Sequence, residues 1–458
     1  VTPRVAIATS DNQRKMKCMI FLALLCEVLF SFFPRPQALA ATPQPPPLSV
    51  EEAVDVALAQ HPTLAVGQAT IEAAQQRVRQ QEAGYLPQGR YTYTYTRQER
   101  TSTAATGGVQ VGGVQQSART QTQLFNFNSM AFNFSQLLFD FGQTLAAIRS
   151  AQATVEASTA DLDTARQTVI FNTKQAFFTA IASQRLLQVA DETVRQNQKH
   201  LEDAQTRFTV GLVPRFDVTQ AQVQVSTAVL NQVTARNNVA LARETLRTAM
   251  GVTGPFLYTL VDNLDHRPLT LNDEDIVAYA YANRPELRSL HAQQQASAEQ
   301  ISALQRQYLP SITGNAQYNW TGRQYPLQQG WLWGVTVTVP LFDDILTSAQ
   351  VGEAKANLSG LRAQEANLRQ QILLEVRQSV LTMQQADESV RVSAETVQQA
   401  RENLSLAEGR YAAGVGNIIE LTDAQVSLTS AQANNIQALT TYKTAIAEVE
   451  KAINQRLE

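Results

Sequence analysis

The chain reads "RFTVGLVPRFDVTQAQV" at Arg207–Val223 and, 203 positions later, "RYAAGVGNIIELTDAQV" at Arg410–Val426. Each stretch has the grammar of a tight turn between two helices. Gly211 and Gly414 suit the left-handed residue that ends a helix, and Pro214 blocks its continuation. Asp217 with Gln220, and Asn417 with Glu420, have the spacing of capping boxes that start a returning helix. A phrase written twice points to a duplicated chain.

Other pieces recur in the same order. "SVEEAVDVALAQHPTL" at Ser49 matches "NDEDIVAYAYANRPEL" at Asn272, and "YLP" at Tyr85 recurs at Tyr308, both at an offset of 223. "LFDFGQTLAA" at Leu138 matches "LFDDILTSAQ" at Leu341 at an offset of 203. The first copy therefore holds about twenty extra residues, and "TSTAATGGVQVGGVQQSART" from Thr101 reads as a long surface loop. The chain divides into a leader (1–40), a first repeat (41–270) and a second repeat (271–458). Each repeat runs helix, strand, loop, strand, very long helix, turn, helix.

In "GRYTYTYTR", Tyr91, Tyr93 and Tyr95 face one way and the intervening threonines the other. "LFNFNSMAFNFS" alternates too, but its phase slips between Phe127 and Met130, which predicts a bulge. "SITGNAQYNW" and "WLWGVTVTVP" repeat the pattern, and all three tryptophans, Trp320, Trp331 and Trp333, fall in this second hairpin. Alternating faces with aromatic residues fit a transmembrane β-barrel wall, with Tyr91, Tyr93 and the three tryptophans as its aromatic belt. A soluble sandwich would have the same period. Both hairpins leave and re-enter helices, so both loops lie on one side. Four strands cannot close a barrel, and open edges in lipid leave backbone groups unsatisfied, so a membrane-spanning version must oligomerise.

The helices call for an extended design. Ile148, Val155, Leu162, Val169 and Ala176 recur every seven residues, and after an eleven-residue step the series resumes at Leu187, Val194, Leu201 and Phe208. Val376, Met383, Val390, Val397, Leu404 and Tyr411 keep the same interval. A heptad repeat implies coiled-coil packing, and an eleven-residue step locally unwinds it. Gln143 to Val210 as one helix would measure roughly 100 Å. Two ladders of small residues, from Ala221 to Ala249 and from Ala424 to Ala452 at seven-residue steps, allow close helix approach.

"MKCMIFLALLCEVLFSFFPRPQALA" from Met16 has the basic start, apolar run and small-x-small ending of a secretory signal, with cleavage expected after Ala40. Cys18 and Cys26 leave with it, so disulfides and thiolate sites are not expected. Removing five of the 37 Lys and Arg and two of the 40 Asp and Glu leaves a net charge of −6, which argues against a nucleic-acid partner. His61, His200, His266 and His291 are scattered, with no metal-ligand pair at helical spacing. No enzyme motif and no cofactor are expected. Met130, Met250 and Met383 lie far apart, which disfavours a dedicated copper route.

Together the signal, the repeats, four strands, paired long helices and both turn phrases resemble the TolC family of outer-membrane efflux and secretion channels. The resemblance covers Leu48 to Leu457, most specifically in the turn phrases and in the helix starts at Ala57 and Ala280. It implies a homotrimer whose three sets of four strands close a twelve-stranded barrel in outer-membrane lipid, continued by a helical tunnel in the periplasm. It further implies that Gly211, Leu212, Val213, Pro214, Gly414, Val415, Gly416 and Asn417 form tips that meet a periplasmic adaptor and an inner-membrane pump. Glu420 and Asp423 match the acidic pair of the constriction. Tyr411 and Asp217 match positions that hydrogen-bond between coiled coils in closed channels, while the family's latch arginine falls on Gly416. The competing expectation is a periplasmic coiled-coil scaffold or adaptor, which should carry a lipoyl-like β module.

Overall fold

Proline divides what the sequence suggests is a single helix ahead of each hairpin. His61 is extended (φ −67°, ψ 124°) with Pro62 opening the next helix, and Arg284 (φ −66°, ψ 126°) with Pro285 does the same. A residue before proline is pushed out of the helical region, and proline fits the first helical position. The structure is a computed structural model that describes residues 46–104, 119–269, 273–341 and 344–457. The expected signal and the interior of the Gly-rich segment lie outside the described residues.

The elements are β1 (Pro47–Leu48), α1 (Val50–Gln60), α2 (Pro62–Glu82), β2 (Gln88–Ala104), β3 (Arg119–Phe139), α3 (Gln143–Thr209), α4 (Arg215–Ala249) and β4 (Thr259–Leu260), then α5 (Asp273–Asn283), α6 (Pro285–Arg306), β5 (Ser311–Gly322), β6 (Gln328–Thr338), α7 (Asp344–Ala412) and α8 (Ile418–Ile453). Two units can be separated. In one, the described residues are Pro46, Pro47 and Leu257–Thr259, and Thr259 N–H donates to Pro46 O at 3.0 Å. The other, Leu48–Phe256 with Leu260–Glu458, contains everything described below.

Strands β2, β3, β5 and β6 form one antiparallel sheet in that order, with β2 and β6 at its edges. The expected bulge between Phe127 and Met130 is not there: β2 and β3 pair without interruption from Gln88↔Ser135 to Ala104↔Arg119. The phase slip marks a change in which face is apolar, with Phe125 and Phe127 on one side and Met130, Phe132 and Phe134 on the other. Asn128 shares the Met130 face and is satisfied there by the Tyr93 hydroxyl, which donates to Asn128 Oδ1 at 3.0 Å. The register shifts instead between Leu137 and Phe139, against β5. Strand also continues into both ends of the expected loop, to Ala104 and from Arg119.

Directly paired residues share a face. One face carries the row Tyr91–Phe132–Tyr318–Trp331 and, beside it, Tyr93–Met130–Trp320–Gln329. Trp333 lies on the same side opposite Ala316. The rings touch, with centroids 4.8 Å apart for Tyr91–Phe132 and 4.6 Å for Tyr318–Trp320. The other face carries rows such as Thr94–Ser129–Thr321–Gln328 and is mostly polar.

Helices α3 and α7 run uninterrupted for 67 and 69 residues, about 100 Å each. Helix α3 packs on α4, α6, α2 and α8, and α7 packs on α8 and α6. The heptad positions Ile148, Leu162, Val169, Ala176 and Val194 are buried, as are Val376, Met383, Val390, Leu404 and Tyr411. At the eleven-residue step the apolar stripe widens, and Phe177, Phe178, Ala180, Ile181 and Ala182 are buried as well. Beside it Lys174 and Glu450 form an ion pair between α3 and α8. Ala221, Ala228, Ala242, Ala424, Ala431, Ala445 and Ala452 point inward, as small residues at a close helix seam should.

Candidate functional site

The two long helices end in the same way. Gly211 (φ 76°) follows α3, with Gly211 N–H bonded to Phe208 O at 3.0 Å and Leu212 N–H to Arg207 O at 2.9 Å. Gly414 (φ 75°) follows α7, with Gly414 N–H bonded to Tyr411 O at 3.1 Å and Val415 N–H to Arg410 O at 3.0 Å. These paired bonds are the Schellman arrangement, which satisfies the carbonyls that a helix end leaves open. Positive φ favours glycine at both positions. Leu212 and Val415 stand at the turn apices, 74% and 68% exposed, while Val213 is half-buried.

The returning helices begin differently from each other. Asn417 caps α8, its Oδ1 accepting Glu420 N–H at 2.8 Å. Glu420 does not complete the expected box, because its carboxylate turns to Arg410 Nε, 2.9 Å away. The expected cap at Asp217 is incorrect. Pro214 occupies the cap position of α4, and Asp217 lies in the first turn, where a carboxylate favours the helix N-terminus. Burial raises the Asp217 carboxyl above its ordinary range.

Around the second turn, Leu404, Ala407, Tyr411, Ile418, Leu421, Ala424 and Leu428 form a packed cluster. Tyr411 is buried, yet its hydroxyl has no hydrogen-bond partner among the described residues. Burial and the nearby Asp217 charge push that phenol up. The two residues are thus electrostatic neighbours without being bonded. Asp423 is exposed on α8 one turn beyond Glu420.

Arg207, the first residue of the opening phrase, is the site residue that sequence reasoning missed. Its Nη1 donates to Tyr411 O at 3.1 Å and its guanidinium lies 5.0 Å from the centre of the Tyr411 ring. The cation therefore meets the negative end of α7. At Gly416 itself a Cβ would lie 3.1 Å from both Arg410 Cβ and Tyr411 N, so a side chain there would require the preceding turn to shift by a few tenths of an ångström. The signal was present as the arginine shared by both turn phrases, but its partner lies 204 positions away. Beside Arg207, a groove of about 570 Å³ runs between α3 and α7, lined by His200, Asp203, Glu408 and Tyr411 among others.

The expected aromatic residues Tyr91, Tyr93, Trp320, Trp331 and Trp333 share one sheet face. Among the described residues no helix is long and apolar enough to cross a membrane.

The family model described as "Outer membrane efflux protein" matches residues 53–252 and 277–455. The chain is 26% identical over 296 residues to the outer membrane protein TolC of Salmonella enteritidis, covering 61% of this chain and 59% of that protein. It thus spans about three fifths of that relative's length. Among solved structures, a membrane protein from Pseudomonas aeruginosa superposes with a TM-score of 0.76 at 19% identity, covering 93% of this chain and 96% of the other. The Campylobacter jejuni CmeC outer membrane channel gives 0.73 at 18% identity, covering 89% and 87%. With the paired tips, the four-stranded sheet and a match across most of its length, the chain belongs to the outer membrane efflux protein family.

Proposed function

We propose that the chain is a passive exit duct in the outer membrane, working as a homotrimer with a periplasmic adaptor and an inner-membrane pump in a tripartite efflux pump or a type I secretion system. The observation that carries this reading is the sheet: four strands, two edges unpaired among the described residues, one aromatic face and one mostly polar face. In lipid an open edge costs several kcal/mol for each unsatisfied backbone group, so the edges need partners. Three copies closing edge to edge would turn the aromatic face to lipid and the polar face to a water-filled lumen. The successive hairpins and long helices act as two structural repeats, and their coils continue the lumen as a periplasmic tunnel.

The tips at Gly211–Pro214 and Gly414–Asn417 meet the adaptor and pump. Glu420 and Asp423 line the constriction, where three copies make rings of carboxylates that favour cations. Asp217 and Tyr411 face the same gate. The test is chemical crosslinking in detergent followed by planar-bilayer recording. A crosslinked trimer that conducts supports the reading, and a monodisperse monomer overturns it.

A further inference from the structure

Three polar residues of α3 reach the second tip hairpin at seven-residue intervals. Thr193 Oγ1 lies 3.3 Å from Thr429 Oγ1 of α8. His200 Nε2 lies 3.9 Å from Glu408 Oε1 of α7. Arg207 bonds Tyr411 O at 3.1 Å and reaches Ala412 O at 3.5 Å, where α7 ends. Residues seven apart share a helix stripe and are about 10.5 Å apart along the axis. The three contacts are therefore rungs on one line leading to the tip.

The rungs are unequal, and the one at the tip is the strongest. Both threonine hydroxyls already donate to carbonyls of their own helices, at Val189 and Gln425, so their mutual contact is weak. His200 and Glu408 stand beyond hydrogen-bond distance. Arg207 alone combines a charge, a hydrogen bond to a helix end and a ring beneath it. Tyr411, held from above by Arg207, sits in the cluster that fixes the second turn.

We propose that Thr193, His200 and Arg207 form a seam that holds the two tip hairpins of one chain together, with Arg207 as its terminal latch and the carbonyl end of α7 as the catch. The latch is a positioning residue that acts on a backbone terminus, so no acidic partner is needed. This inference rests on the gate reading given above. When the second hairpin swings away from α3, the Arg207 rung breaks first and the threonine rung last.

The test uses the full chain assembled in detergent, with Cys18 and Cys26 replaced where they persist. Spin labels at the exposed apices, Leu212 and Val415, report the separation of the hairpins by pulsed electron resonance. Arg207→Gln should lengthen and broaden that distance, and in bilayers should raise the open-to-closed ratio about tenfold, the loss expected for one hydrogen bond from a charged donor. Arg207→Lys should recover part of the closed state. Thr193→Cys with Thr429→Cys, oxidised, should reverse the Arg207→Gln effect, and a reductant should restore it. An unchanged label distance in Arg207→Gln overturns the latch even if the assembly fails to conduct. Absence of conduction from the unmodified protein, with label distances responding as expected, would instead count against the channel reading and leave the seam supported.

Discussion

Arg410 Nε and Glu420 Oε1 stand 2.9 Å apart across the second tip turn, joining the last turn of α7 to the first turn of α8. Both side chains are about half exposed, so water and salt screen the pair and its contribution falls within about 0–1 kcal/mol. Its larger consequence is electrostatic, because Glu420 meets a cation of its own chain whereas Asp423 is exposed. In planar bilayers Asp423→Asn should reduce cation selectivity more than Glu420→Gln, and the double variant should reduce it most. Equal effects of the two single substitutions would mean that Arg410 does not offset the Glu420 charge.

The alanine seams predict intolerance to bulk. Ala228 and Ala431 are each 4% exposed, on helices that pack against the long helix of their own hairpin. Leucine at either position should cost roughly 1–3 kcal/mol through overpacking. Thermal unfolding of Ala228→Leu, Ala431→Leu and the double variant measures this, and near-additive losses are expected because the sites lie on separate coils.

Acid should destabilise the fold through His200. Burial holds its imidazole below the ordinary value of 6.5, outweighing the attraction of Glu408 and Asp203, while Lys199 pushes the same way as burial. The folded protein therefore binds fewer protons than the unfolded chain as the pH falls through 6.5, and stability declines until the folded imidazole is itself protonated, below which the loss is constant. The slope is at most about 1.4 kcal/mol per pH unit. Above pH 6.5 this residue adds no pH dependence. Unfolding followed from pH 8 to 5 should show the decline in the parent protein and a flatter profile in His200→Gln.

The two sheet faces should respond oppositely to charge. Phe132 lies in the aromatic row and Asn133 in the polar one. Under the barrel reading, Phe132→Arg should destabilise the inserted trimer by about 2–4 kcal/mol near the bilayer midplane, and Asn133→Arg should chiefly alter conductance. Heat-modifiable migration on gels and single-channel recording separate the two outcomes.

Periodicity made most of this fold readable. The seven-residue intervals from Ile148 and Val376 mark helices that the structure keeps unbroken, and Gly211 and Gly414 mark their ends. Alternation in Tyr91–Tyr95 and Trp331–Trp333 marks the faces of the sheet. What escaped depends on contacts distant in the chain or on competition between two local solutions. The polar Asn128 looks like a bulge until the Tyr93 hydroxyl, two residues along the partner strand, is found to reach it. Asp217 looks like a cap, but Pro214 already occupies the extended residue ahead of the helix. Glu420 looks like the return half of a capping box until Arg410 comes within reach from the other side of the turn. Arg207 offers only the clue that both turn phrases open on arginine, and its acceptor is a backbone carbonyl that any residue type could supply.

The unpaired edges of β2 and β6 also bear on how such a chain must be made. Before its strands find partners it offers two templates for strand addition together with a surface bearing Trp331 and Trp333, 72% and 69% exposed. Such edges recruit any extended chain, and such a patch drives aggregation in water. Under the trimer reading the hazard scales with the time an exported copy would spend alone, so a holdase that shields the sheet would protect it, and slow synthesis would lengthen the wait for two further copies. Yield of correctly inserted protein should then rise steeply with the rate of supply at low expression and fall again when supply outruns insertion.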